Sequence, residues 1–140
     1  MSYFLGFEAF KNSKGLFLSQ TKYVLDLLEK TNKSNCSSCS TPLSTGIKLT
    51  KVGQPFSDAS KYRSTIGALQ YLTYTRPDIS FSVNRLSQFL ASPTEDHWKA
   101  CKHLLRYLKG SPGLGLHFKP LSSLSIEVFS DADWASCLDD

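Results

Sequence analysis

The chain lacks any long apolar run. No stretch approaches the roughly 18 residues a membrane-spanning helix requires, and the N-terminus lacks the basic, apolar, small-residue order of a signal peptide. The expectation is therefore an intracellular protein without membrane contact. Its four cysteines, Cys36, Cys39, Cys101 and Cys137, are too few and too irregularly spaced for a secreted disulfide framework. Cys36 and Cys39 have zinc-like spacing, but no second CxxC or HxxxH lies at finger distance, so the pair reads as an ordinary loop element. Charge is missing selectively. From His97 to Lys119 there is no acid, and from Glu127 to Asp140 there is no base.

At 140 residues, 41% hydrophobic and 20% charged, the chain has the composition of one modest globular domain. All 16 Lys and Arg fall within residues 1–126, against seven acids, while residues 127–140 carry five acids. A body of +9 suits a polyanion, and an acidic tail of −5 suits a divalent cation.

Local patterning gives an α+β chain. Tyr3 to Phe10 alternates weakly, Asn12 to Gly15 has turn chemistry and Leu16 to Leu18 is a short apolar run, together a β-hairpin. Ser19 or Thr21 then caps a helix carrying Val24, Leu25, Leu27 and Leu28 on one side. Residues 32–58, rich in Ser, Thr, Asn, Pro and Gly, form an irregular connector. Three helices follow within residues 59–110. The first, preceded by Asp58 or Ser60, buries Tyr62, Ile66, Leu69 and Leu72, with Gly67 and Ala68 offering a small-residue surface. Arg76-Pro77 turns a sharp corner into the second, with Ile79, Val83, Leu86 and Leu90 on one stripe and an end near Ala91. Ser92 and Glu95 stand in capping-box relation before the third, which Gly110 closes in a left-handed conformation.

The third helix carries the clearest functional pattern. Trp98, Cys101, Leu104, Leu105 and Leu108 share one face, and Lys99, Lys102, His103, Arg106 and Lys109 share the opposite one. An acid-free face exceeds what an ordinary solvated helix shows, because such helices usually intersperse Glu with Lys. These five residues are the candidate phosphate contacts. Beyond Gly110, Leu116 to Phe118 reads as a short strand and Ser125 to Asp131 as an alternating one, the two forming the opening hairpin of a further α/β unit over residues 111–140.

Several short motifs stand in a fixed order: YRS-x-x-G-x-L-x-YL-x-x-TRPDI from Tyr62, N-x-LS-x-F from Asn84, P-T-x-x-HW-x-A from Pro93, LRYLKG from Leu105 and FSDADWASC from Phe129. With YFLGFE at Tyr3 and STPL at Ser40, they resemble the polymerase-to-ribonuclease-H segment of copia-type retrotransposon Pol polyproteins over nearly the whole chain. The resemblance implies a primer-grip-like element at Phe4, Leu5, Gly6 and Phe7 within residues 1–31. It further implies thumb- and connection-like helices over 59–110 and a truncated ribonuclease-H-like start over 111–140. Partners would be an RNA·DNA or DNA template-primer duplex and the remainder of the polyprotein.

In that family's ribonuclease H domain, strand carboxylates hold paired Mg²⁺ ions that activate water. Asp131 matches such a position, with Asp133 the weaker metal candidate, yet only Asp139 and Asp140 follow. The Tyr-x-Asp-Asp turn of the polymerase is also missing. The chain is thus expected to be a catalytically incomplete segment whose parent uses Mg²⁺ and which itself binds none tightly. The alternative is a domesticated, non-catalytic nucleic-acid-binding or interaction protein.

Overall fold

The computed structural model describes residues 1–130. In chain order the elements are β1 (Ser2–Phe4), β2 (Phe7–Asn12), β3 (Gly15–Ser19), α1 (Thr21–Lys30), α2 (Ala59–Leu72), α3 (Ser80–Ser87), α4 (Glu95–Gly110) and β4 (Gly115–Phe118); one 3-10 turn, Pro77–Ile79, leads into α3. The α+β expectation holds: among the described residues four helices accompany a four-stranded antiparallel sheet of order β1-β2-β3-β4.

The expected single strand from Tyr3 to Phe10 is instead two strands. Leu5 and Gly6 both have positive φ, 50° and 87°, and reverse the chain so that Phe4 pairs with Phe7. This is the two-residue turn whose twist suits a hairpin. At the next reversal Asn12 accepts a hydrogen bond from the Lys14 amide on its side-chain oxygen, and Asn12 pairs with Gly15 as expected.

β4 pairs with β3, placing Leu116 opposite Leu18 and Gly115 opposite Ser19. A Cβ at Gly115 would lie 2.1 Å from the Leu18 carbonyl oxygen, so only glycine permits this approach. The expected hairpin between Leu116–Phe118 and Ser125–Asp131 is not formed among the described residues. Ile126, Val128 and Phe129 are exposed, and residues 121–130 contain no strand. An alternating segment without a neighbouring strand gains neither ladder hydrogen bonds nor a buried face.

Helix ends reveal other differences. α1 is capped by neither Ser19 nor Thr21; Glu8 reaches across from β2, accepting from the Lys22 amide and from the Ser19 hydroxyl. α1 stops because Asn32 takes φ 58°, letting its own amide reach Glu29 and that of Lys33 reach the Leu28 carbonyl at 2.7 Å. Asp58 caps α2 through the Lys61 amide, as expected.

α3 ends at Ser87 rather than near Ala91. The Leu86 carbonyl, which a longer helix would give to Leu90, accepts from the Tyr62 hydroxyl at 2.7 Å and from the Phe89 amide. The α4 box uses Thr94 and His97 rather than Ser92 and Glu95, because the Glu95 amide is taken by Gln54 of the connector at 2.8 Å. His97 Nδ1 accepts from the Thr94 amide, and its ring stacks 3.8 Å from that of Phe89. Gly110 is the last helical residue and has no positive φ; Ser111 is the C-cap.

The core lies among the helices. Tyr62, Ile66, Leu69, Leu72, Ile79, Val83, Leu86, Cys101, Leu104, Leu105 and Leu108 are all 0% exposed. Burial pushes the Cys101 thiol up to about 12, so it packs as a neutral hydrophobe. α1 contributes Val24, Leu27 and Leu28, whereas Leu25 is exposed. The expected close approach at Gly67 is not made, since nothing lies within 4 Å of a Cβ placed there.

The Arg76-Pro77 corner is architectural. Arg76 is 1% exposed and forms a bidentate pair with Asp78 at 3.0 and 2.8 Å, while donating to the Ser111 carbonyl at 2.6 Å and hydroxyl at 2.9 Å. Tyr107 donates to the same carboxylate. Burial opposes ionisation of Asp78, but hydrogen bonds from Arg76 and Tyr107 outweigh it and hold the carboxyl below its usual value. One ion pair thus ties the α2–α3 corner to the end of α4, immediately before β4.

Candidate nucleic-acid interface

α4 presents its polar face because its apolar residues recur at helical spacing and are consumed by the core. Lys99 is exposed, and Lys102, His103, Arg106 and Lys109 are half-buried. The connector crosses this face instead of running clear of it, and His103 and Arg106 are covered by it. His103 Nε2 lies 2.9 Å from the Thr41 carbonyl oxygen, a distance at which this nitrogen donates. Its Nδ1 lies 3.4 Å from the Ser44 hydroxyl. Arg106 donates from Nε to the Ser37 carbonyl at 2.9 Å, and the Cys39 amide donates to the Arg106 carbonyl.

Between connector and helix lies a cleft of about 580 Å³ lined by Lys33, Ser44, Ile47, Lys48, Asp96, Lys99, Lys102, His103 and Arg106, with Ala100 at its base. Lys33 and Lys48 join the basic set from the far wall. Lys33 is fixed by the α1 terminus, and Lys48 by its neighbours, Leu49 being buried and Ile47 packed on the core. Lys109 lies outside this lining. Asp96 supplies an acid immediately before the acid-free run. A cleft lined by five Lys and Arg side chains has the charge that suits an extended polyanion, because like-signed charges at a low-dielectric surface reinforce one another's field.

The predicted residues form two separate places. Phe4 and Leu5 are exposed at the β1–β2 turn, while Gly6 and Phe7 face α2. Tyr71 donates its hydroxyl to the Leu5 carbonyl, and Phe7 meets Tyr71 and Tyr74 edge-on at 5.6 and 6.4 Å. A Cβ at Gly6 would sit 3.4 Å from the Tyr71 ring, at a backbone angle unsuited to other residues. Asp131 and Asp133 lie outside the described residues. Among the described residues no group of three or more His, Cys, Asp or Glu could hold a metal ion. Cys36 and Cys39 are free thiols; Cys39 Sγ lies 3.3 Å from the His103 carbonyl oxygen and donates to it.

The chain is 49% identical over its full length to the retrovirus-related Pol polyprotein from transposon RE2 of Arabidopsis thaliana, and 48% identical to that from transposon RE1. A Pol polyprotein from transposon TNT 1-94 of Nicotiana tabacum is 38% identical over 92% of the chain. The chain belongs to the copia-type Pol polyprotein family. It spans about a tenth of the length of these Pol relatives. An uncharacterized mitochondrial protein of Arabidopsis thaliana is 42% identical over 96% of this chain, which covers 56% of that relative. No family model matches the Pol segment, and no solved structure does. No helix among its described residues is long and apolar enough to cross a membrane.

Proposed function

We propose that this Pol segment holds template-primer duplex, RNA·DNA or DNA, through its phosphates during reverse transcription by the parent polyprotein. The observation that carries this reading is the cleft in which Lys33 and Lys48 face Lys99, Lys102 and Arg106. Lysine contacts made to a regular backbone confer affinity and register with little sequence preference. The thumb- and connection-like role of the helices, and the primer-grip-like role of the turn at Phe4 to Phe7, belong to the same proposal. So does catalytic incompleteness. Mg²⁺ would act in the parent through several carboxylates, of which Asp131, with Asp133 beside it, is the candidate contribution of this chain.

The test is the salt dependence of binding to a short RNA·DNA hybrid. Replacing Lys99 and Lys102 together by Ala should flatten the slope of log affinity against log salt by about two, with the chain still folded. An unchanged slope would return these lysines to solvated surface. The alternative, a domesticated non-catalytic binding or interaction protein, draws on the mitochondrial relative, of which this chain covers more than half rather than a tenth. Persistence of duplex affinity in a stable isolated chain is expected under both readings. Incorporation into a full-length polyprotein distinguishes the first.

A further inference from the structure

The five polar residues of α4 do not share one role. Lys99 and Lys102 line the cleft, whereas His103 and Arg106 are hydrogen-bonded to the connector. His103 is engaged from both ring nitrogens, by the Thr41 carbonyl and the Ser44 hydroxyl. Arg106 directs Nε at the Ser37 carbonyl, with Nη2 3.5 Å from the Ser37 hydroxyl. Cys39 closes the same clasp through its thiol and its amide, and a Cβ on Gly110 would come within 3.0 Å of Ser38. The segment between Lys33 and Lys48 therefore has both ends fixed by the core and its middle fastened to α4 by these two side chains.

We propose that His103 and Arg106 are positioning residues, which pin the connector across α4 so that the cleft has a standing far wall, while Lys33, Lys48, Lys99 and Lys102 make the phosphate contacts. This inference rests on the duplex-binding reading above. A fastened loop binds without first losing the freedom of its residues, so unfastening it weakens affinity through ordering entropy and leaves the number of ion contacts unchanged. Direct phosphate contact has the opposite signature, a change in salt slope.

The experiment uses the whole 140-residue chain and measures affinity for an RNA·DNA hybrid across a salt series, together with amide hydrogen exchange over residues 34–46 without nucleic acid. Arg106→Lys keeps the charge but loses the Nε donor to Ser37. It should bind about three- to tenfold more weakly at every salt concentration, with an unchanged slope and unchanged thermal midpoint. His103→Asn should do the same, and both should speed exchange at the Cys39 amide. Lys48→Ala should instead lower the slope by about one while exchange stays slow.

Wild-type affinity in Arg106→Lys, together with a slope lowered by about one in Arg106→Ala, would make Arg106 a direct contact and overturn the proposal. Connector exchange unchanged in both Arg106→Lys and His103→Asn would also overturn it. A wild-type chain with no salt-dependent affinity for the hybrid would sink the binding reading itself, whatever the exchange of the connector.

Discussion

The helical region and the sheet use apolar residues differently. In α2, α3 and α4 the apolar stripe is fully enclosed, with Ile66, Leu69, Val83, Leu86, Leu104 and Leu108 at 0% exposure. In the sheet Tyr3, Phe4, Phe10 and Phe118 remain 43% to 72% exposed, although backbone pairing through all four strands is regular. The helices are thus held by side-chain burial. The sheet is held by its ladders and by a few aromatic contacts of Phe7 with Tyr71 and Tyr74. The basic face of α4 thus stands on a fully buried core, whereas the sheet meets the helices through Phe7 and Glu8 and leaves much of its aromatic surface open.

The comparison breaks most sharply at Leu104. Leu104→Ala should cost about 2–5 kcal/mol in denaturant unfolding, because the methyl groups are removed from a site that cannot refill. A loss below about 1 kcal/mol would show that the helical core is looser than its burial indicates.

Asp78 tests the joint between the two regions through pH. Its folded carboxyl lies below the usual 3.8, so the stability it supplies is present above that value and is lost as pH falls through the lower folded one. Asp78→Asn should therefore be less stable than wild type near neutrality, and the gap should narrow on acidification below about pH 4. A gap that stays constant down to the acid limit would mean that packing, and not the ion pair with Arg76, holds the corner.

The smallest effect belongs to the sheet. Phe4→Ala should cost less than about 1 kcal/mol, since a ring 72% exposed loses little buried area. A penalty approaching that of Leu104→Ala would show that the outer sheet face is covered in solution and would erase the distinction.

Much of the helical region was legible because its signals are local. The three- and four-residue spacing of Tyr62, Ile66, Leu69 and Leu72 needs no knowledge of the partner helix, and Asp58 stands beside the amide it caps. The Arg76–Asp78 pair likewise spans only two residues. The strand break at Leu5-Gly6 was not legible from alternation, which continues in either arrangement. The turn depends on positive φ at a leucine and on Tyr71, contributed by a distant helix.

The cleft divides in the same way. Periodicity placed Lys99, Lys102, His103, Arg106 and Lys109 on one face of α4, because helical geometry alone decides which residues share a face. It could not separate a lysine open to a ligand from an arginine bound to Ser37, 69 residues away. Nor could it bring Lys33 and Lys48 opposite, or pair β4 with β3 about a hundred residues upstream. Family membership, the helical stripes and the basic face were determined by the sequence itself, since each is a pattern in nearby residues. The far wall of the cleft, the choice of Thr94 as cap and the closing strand of the sheet were decided by the tertiary structure, because each depends on which distant carbonyls and amides were already taken.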